Sequence, residues 1–219
     1  MHTSFHSTHP RKPPMPAPDI SSRPVNARPV LGHVNLMADT LIANATLDDL
    51  RAIVRNMVAS ATPGIATALT AAARDRLQQT NARCIPGTSF CLFTTYGGHV
   101  APTPQLQDVL KRARALYGSG MGFASLSLLA SAVRSTIGTR WDAEGEAAEV
   151  LAVIDADIAQ AIQSCKEEVE AGRVGDYTSA RKALAELRST VDASYAEIEA
   201  WGGEFPFERA ASSLAYWNV

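Results

Sequence analysis

Two helical patterns in the C-terminal third constrain the fold of this chain more than any other feature. They run from residue 147 to 169 and from 176 to 201, and residues 172–175 join them. Mostly apolar residues recur every seventh position in two interleaved series of the second pattern, which is typical of one continuous helical stripe. Each pattern has an apolar and an acidic face, so we expect an antiparallel hairpin whose inner faces pack against other helices.

Composition favours the same fold class. Of the 219 residues, 46% are hydrophobic and 6% aromatic, which is enough to bury one sizeable core. Strand-like alternation is short or absent. We therefore predict an all-α protein in which residues 33–219 form a single multi-helix bundle with a long C-terminal antiparallel helical hairpin.

Residues 1–32 differ from the rest in composition. They hold seven of the twelve prolines, together with His2, His6 and His9. Too few apolar groups are present to offset the entropy of ordering, so we predict a disordered tail. A metal site at these histidines is not expected, because no cysteine or carboxylate supports it.

Helix signals continue through the middle of the chain. Thr46 is placed as an N-cap, with Asp48 and Asp49 in the first turn, and the pattern predicts a helix from residue 47 to about 59. Further helices are expected from about 65 to 79, 104 to 118 and 123 to 138, with a short helix near the C-terminus. The glycine-rich stretch 118–122 lacks the Lys-Ser/Thr ending of a phosphate loop, so we interpret it as a helix-to-helix turn.

Residues 80–103 are predicted to be an irregular connection that Phe90, Leu92, Phe93 and Tyr96 fold onto the core. Cys84, Cys91 and His99 fit no closed zinc pattern and lack a fourth ligand, so no metal is expected there.

No arrangement of residues recommends catalysis. Asp155 and Asp157 lie two apart on a predicted helix and should point to different sides. His-Glu-x-x-His, Gly-x-Ser-x-Gly, Walker and Cys-x-x-Cys sequences are missing from the chain. We predict a protein that is not an enzyme and uses no cofactor or metal.

Charge is divided unevenly along the chain. Residues 1–140 hold 14 basic and 6 acidic residues, whereas residues 141–219 hold 6 and 16. Six basic residues are candidates for one surface that binds a partner protein, lipid headgroups, another anion or the acidic hairpin of the same chain. They are Arg74, Arg76, Arg83, Lys111, Arg112 and Arg114. Nucleic acid ranks lower as a partner, because the second half is acidic and the pI is 6.2.

Four aromatic residues near the C-terminus, Phe205, Phe207, Tyr216 and Trp217, form either a lid on the core or a docking segment for a partner. Three cysteines, an odd number, suit a reducing compartment, and neither a secretory segment nor a membrane span is indicated. We expect a nuclear or cytoplasmic protein.

The segment 41–58, with the sequence LIANATLDDLRAIVRNMV, resembles a leucine-rich segment of the fungal tethering factors that hold the proteasome in the nucleus. In that family a disordered basic tail precedes the segment and a multi-helix bundle follows it. The resemblance implies an all-helical dimer that binds the proteasome through its tail and touches membrane lipid through its bundle. This tail departs from the family, whose tails are rich in lysine, because it holds only Lys12.

Together these patterns predict a non-enzymatic adaptor or tether that acts through helical surfaces and links the proteasome to the nucleus. The alternative is a helical regulatory domain that binds a protein in transcription or signalling. A helical enzyme with a small-molecule pocket is the third class.

Overall fold

A computed structural model describes residues 36–81, 91–96 and 99–217 of the chain. The predicted tail, with its three histidines, and the candidate residues Arg83, Cys84 and Phe90 lie outside the described residues. The contacts divide the chain into two compact units, residues 1–56 and 57–219. That residues 33–219 form a single domain stays a prediction.

The described residues form eight helices and one short pair of strands, so the predicted all-α class is confirmed. The elements follow in the order α1 Leu36–Asn44, α2 Leu47–Ala59, α3 Ile65–Asn81, β1 Phe93–Tyr96, β2 His99–Pro102, α4 Pro104–Gly118, α5 Gly122–Arg134, α6 Glu146–Glu170, α7 Tyr177–Trp201 and α8 Glu208–Ala215.

Helix α5 lies at the centre of the larger unit. It packs against α4, α6 and α7, and α8 packs against α6 and α7. Helices α6 and α7 are the two long helices that the sequence predicts, and each packs against α5. Their apolar stripes are buried as the sequence indicates, with Leu151, Ile154, Ile158 and Leu187 fully enclosed. Burial of such aliphatic side chains contributes about 1.5–3 kcal/mol each, which makes this region the stable part of the chain.

Local signals set the limits of α7. Asp176 accepts a hydrogen bond from the backbone N–H of Thr178 at 2.8 Å and one from the Ser179 hydroxyl at 2.5 Å. Gly202 ends the helix in the left-handed region at φ 75°. The side chain of Trp201 then meets Trp141, which precedes α6, edge to face at a centroid distance of 5.7 Å. At about 37 Å, α7 is long enough to span a small domain.

Gly122 allows the start of α5 to approach α6 closely. A Cβ atom at this position would lie 2.4 Å from the backbone nitrogen of Cys165 and 2.8 Å from its Cα. Backbone atoms cannot move aside as the tip of a flexible side chain can, so only glycine fits this crossing. The stretch 118–122 is thus a helix-to-helix turn, as predicted, and it also supplies a packing contact.

The expectation that residues 80–103 are irregular is wrong for part of the span. Strands β1 and β2 pair antiparallel, with Phe93 opposite Pro102 and Tyr96 opposite His99. Leu92 and Phe93 are buried against the core as predicted, whereas Tyr96 is 87% exposed. Four-residue strands are too short for a clear alternating pattern, and their pairing depends on the helices beneath them.

Candidate functional site

Helices α1 and α2 present apolar side chains to the surface. Thr46 and Asp49 form the predicted cap: the Asp49 N–H donates to Thr46 Oγ1 at 3.1 Å, and the Thr46 N–H donates to Asp49 Oδ2 at 3.3 Å. This reciprocal bonding satisfies donors that a helix start leaves open. No residue of α2 is buried, and Leu41, Ile42 and Leu47 are 51%, 60% and 62% exposed.

A groove of about 450 Å³ lies between α1 and α2, within the smaller unit. Its lining is apolar or uncharged except for Asp49. The residues that line it are Leu41, Asn44, Ala45, Asp49, Ala52, Ile53 and Asn56. An open apolar groove with one carboxylate matches the way in which many proteins receive an amphipathic helix.

The candidate residue Arg114 is used inside the larger unit. Its Nε and Nη2 atoms donate to the Asp157 carboxylate at 2.7–3.0 Å, and the Tyr117 hydroxyl donates to the same carboxylate at 2.8 Å. The hydrogen bond that Arg114 donates to Asp157 is the main reason that the pKa of Arg114 is raised. Burial, followed by the bond to Asp157, raises the pKa of Tyr117 to about 12. Arg114 therefore links α4 to α6, and Asp157 neutralises the charge that a partner would otherwise meet.

The other candidate basic residues have different surroundings. The exposed Lys111 reaches Asp108 at 3.5 Å. Arg112 is half-buried on α4, and Arg76 is exposed on α3. Arg74 of α3 donates from Nη1 to the carbonyl oxygen of Ser119 at 2.9 Å, which brings it to the turn between α4 and α5.

At that turn Arg74 meets Arg173, which the sequence did not indicate as a site residue. A Cβ atom built on Gly120 would lie 3.6 Å from Arg74 Nη1 and 3.2 Å from Arg173 Nη2, so both guanidinium groups flank the same point. Gly120 has φ 79° and can adopt this left-handed conformation without strain. A cavity of about 200 Å³ opens beside the two arginines.

Glu168 anchors the other side of this turn. Its carboxylate accepts the backbone N–H of Phe123 at 3.2 Å at the start of α5. Burial raises the pKa of Glu168, while the hydrogen bonds from Phe123 and Gly122 and the charges of Arg173 and Arg74 oppose that rise. The carboxylate thus accepts from N–H groups that have no partner within the helix, at a helix start where negative charge is favourable.

The C-terminal aromatics are mostly a lid on the core. Phe207 is fully buried, which fits the lid and not the docking alternative, and its ring lies 5.8 Å from that of Phe205. The ring of Trp217 lies 5.8 Å from Phe123. Tyr216, at 92% exposed, is the one of the four that offers its whole side chain to solvent.

The paired carboxylates point apart, as predicted. Asp157 binds Arg114 and Tyr117, whereas Asp155 accepts the backbone N–H of Ala210 at 2.8 Å at the start of α8. Burial is the main cause of the raised pKa of Asp155. Both groups hold helices in place, and neither lines the groove between α1 and α2 or the cavity beside Arg74 and Arg173.

Cys91 and His99, two of the metal-ligand candidates in residues 80–103, bind different partners. Cys91 Sγ donates to the carbonyl oxygen of Phe93 at 3.2 Å, and His99 Nδ1 lies 2.9 Å from Asp142 Oδ2 on the surface. Within residues 36–81, 91–96 and 99–217, no group of three or more His, Cys, Asp or Glu side chains could hold a metal ion. Across the same residues, no helix is both long and apolar enough to cross a membrane.

Comparisons with models of protein families, with curated proteins and with solved structures found no match to this chain.

Proposed function

We propose that this protein is a non-enzymatic adaptor that binds another protein through α1 and α2. The observation that supports this proposal is the exposed apolar face of these helices, where Leu41, Ile42, Leu47 and Val54 are between 39% and 62% exposed. Apolar side chains recur on one face of α2 with the spacing that normally fills a core. An apolar helix face that stays in solvent is typical of an interaction surface.

The occupant we propose for the groove between α1 and α2 is an amphipathic helix of the partner protein. Its apolar side chains would cover Leu41 and Ile53 in the groove and the exposed Val54 next to Ile53 in the sequence. A basic residue beside them would complement Asp49, the one charged group in the lining. The cap formed by Thr46 and Asp49 fixes the start of α2 before binding. A groove that is already ordered loses less entropy when the partner docks.

Proteasome lid subunits are the partners we propose first, with the nucleus as the place of action. The resemblance to the fungal tethering factors lies in residues 41–58 and implies proteasome binding through the tail. We propose that the exposed apolar side chains of α1 and α2, which lie in the same segment, add a second contact. A second copy of the chain and a regulatory protein without any link to the proteasome are the other occupants that an experiment must separate.

Chemical crosslinking followed by affinity purification and mass spectrometry tests the proposal. Val54→Glu places a charge on the α2 face, and Val153→Glu is a matched control, since these valines are 39% and 43% exposed on different helices. We expect the wild-type protein and the Val153 variant to crosslink lid subunits, and the Val54 variant to lose them.

Each other result has a defined meaning. Lid subunits that are missing from the wild-type sample contradict the proteasome proposal. Lid subunits that survive Val54→Glu contradict α1 and α2 as their binding surface. A different identified protein that is lost only with Val54→Glu supports the regulatory alternative. Light scattering on the purified chain measures its mass in solution, and a dimer that Val54→Glu converts to monomer identifies a second copy as the occupant.

A further inference from the structure

We propose that Arg74 and Arg173, at the turn between α4 and α5, form a binding site for a phosphate-type oxyanion such as a phosphomonoester. This inference concerns the larger unit and does not depend on the proposed adaptor function. The supporting observation is that two arginines from distant parts of the sequence lie next to the same glycine, Gly120. Arg74 is on α3, and Arg173 is in the turn after α6.

Convergent guanidinium groups repel each other unless an anion lies between or beside them. Arg114 has Asp157, Arg134 has Glu186 and Arg51 has Asp48. None of the ion pairs formed among the described residues includes Arg74 or Arg173. The two positive charges at the turn therefore have no carboxylate at ion-pair distance within the described part of the chain.

Among the described residues, most of the hydrogen-bond donors of the two arginines have no acceptor. Arg74 uses Nη1 on the carbonyl oxygen of Ser119 at 2.9 Å, and Arg173 reaches the carbonyl oxygen of Glu167 from Nη2 at 3.4 Å. A guanidinium carries five N–H donors in a planar fork. Two forks that flank one point match the oxygen atoms of a tetrahedral oxyanion, which arginine binds in bidentate fashion.

The cavity beside the arginines has room for such a group. Its volume is about 200 Å³, and it opens to solvent, so a free phosphate or the end of a larger molecule could enter. Gly120 carries no side chain, and any Cβ there would crowd the guanidinium of Arg173. The lining residues are Thr70, Arg74, Tyr117, Gly118, Ser119, Gly120, Glu167 and Arg173.

Two carboxylates lie near the site, and both have hydrogen-bond partners other than the arginines. The charge of Glu168 acts on Arg173 and Arg74, but it forms no ion pair with either. Glu167 accepts from the amide of Gln163 at 3.2 Å, and Glu168 accepts from the backbone of Phe123. The buried position of Glu168 raises its pKa, so its negative charge is weakened as the pH falls toward the acidic range.

Inorganic phosphate is the probe, added to the full-length chain at constant ionic strength with chloride as the balancing anion. The side-chain Nε–H signals of the arginines in a nitrogen-labelled sample report binding residue by residue. We expect saturable shifts at Arg74 and Arg173, and smaller, unsaturable changes at Arg76, which is exposed on the same helix.

Two single variants and a control complete the test. Arg74→Gln or Arg173→Gln should weaken phosphate binding about tenfold or more, since charge-assisted hydrogen bonds are the strong ones. Arg76→Gln should leave it unchanged. Arg173 is exposed, so its variant is expected to fold even if the Arg74 variant does not, and thermal unfolding checks both.

Vesicles distinguish the two sources of phosphate. Binding to phosphatidylcholine vesicles that contain phosphatidic acid, when it requires Arg74 and Arg173, identifies a lipid headgroup as the source. Phosphate binding without vesicle binding identifies a free phosphomonoester. Shifts that do not saturate, that are equal at Arg76, or that persist when both arginines are replaced overturn the proposal.

Discussion

Helix α2 and helix α6 have the same kind of amphipathic sequence and different surroundings. Leu151, Ile154 and Ile158 of α6 are fully buried on α5, whereas no residue of α2 is buried. The comparison shows that an apolar stripe predicts a helix but does not say what covers the stripe. In α6 the cover is the rest of the larger unit; in α2 it is the partner helix we propose.

The sharpest test of this contrast is truncation of one aliphatic side chain in each helix. Ile158→Ala should lower the free energy of unfolding by about 2–5 kcal/mol, because the residue is fully buried and leaves a cavity. Val54→Ala, at a residue that is 39% exposed, should change it by less than about 0.5 kcal/mol. Urea unfolding followed by circular dichroism measures both values. Equal losses would show that the α2 face is covered within the chain itself.

A smaller loss of stability is expected at Gly122, where α5 lies directly against the backbone of α6. Gly122→Ala should cost about 1–3 kcal/mol, because the new Cβ would meet the backbone of Cys165. Gly118→Ala is the matched control, since nothing lies within 4 Å of its Cβ position. Thermal unfolding of the two variants compares them. If both retained the wild-type midpoint, α5 and α6 would not approach as closely as described.

The smallest effect concerns the start of α2. Thr46→Ala should lower the local stability of the helix by about 0.5–2 kcal/mol, because it removes the hydroxyl that accepts from Asp49. Thr67→Ala, at an exposed residue in the first turn of α3, is the control. Amide hydrogen exchange measures the opening of each helix separately. Unchanged exchange in α2 would mean that contacts outside the cap hold this helix.

The helices were predictable because their signals are local. The cap at Thr46, the stripe of α7 and its stop at Gly202 each involve residues a few positions apart. The β1–β2 pair was missed, although Gly97 and Gly98 stand between two four-residue runs in the sequence, a spacing typical of a hairpin. Each of these strands has only four residues, which is too short for an alternating pattern to distinguish it from a loop.

The surface sites were less predictable, because they depend on which residues the fold brings together. Arg114 and Arg74 carry the same charge on neighbouring helices, yet Arg114 is held by Asp157 and Arg74 meets Arg173. Arg173 lies in a turn far along the chain, where nothing in the local pattern marks it. Similarly, Phe207 and Tyr216 are both aromatic residues near the C-terminus, yet the fold buries Phe207 and leaves Tyr216 exposed.

The perpendicular contact of Trp141 with Trp201 gives the molecule an internal optical reporter. Two indoles with centroids 5.7 Å apart couple their electronic transitions, and their near-ultraviolet dichroism depends on that separation and angle. The pair joins the segment before α6 to the last turn of α7. Loss of the coupled signal ahead of the far-ultraviolet change would therefore reveal fraying at this end of the two long helices before the remaining helices unwind.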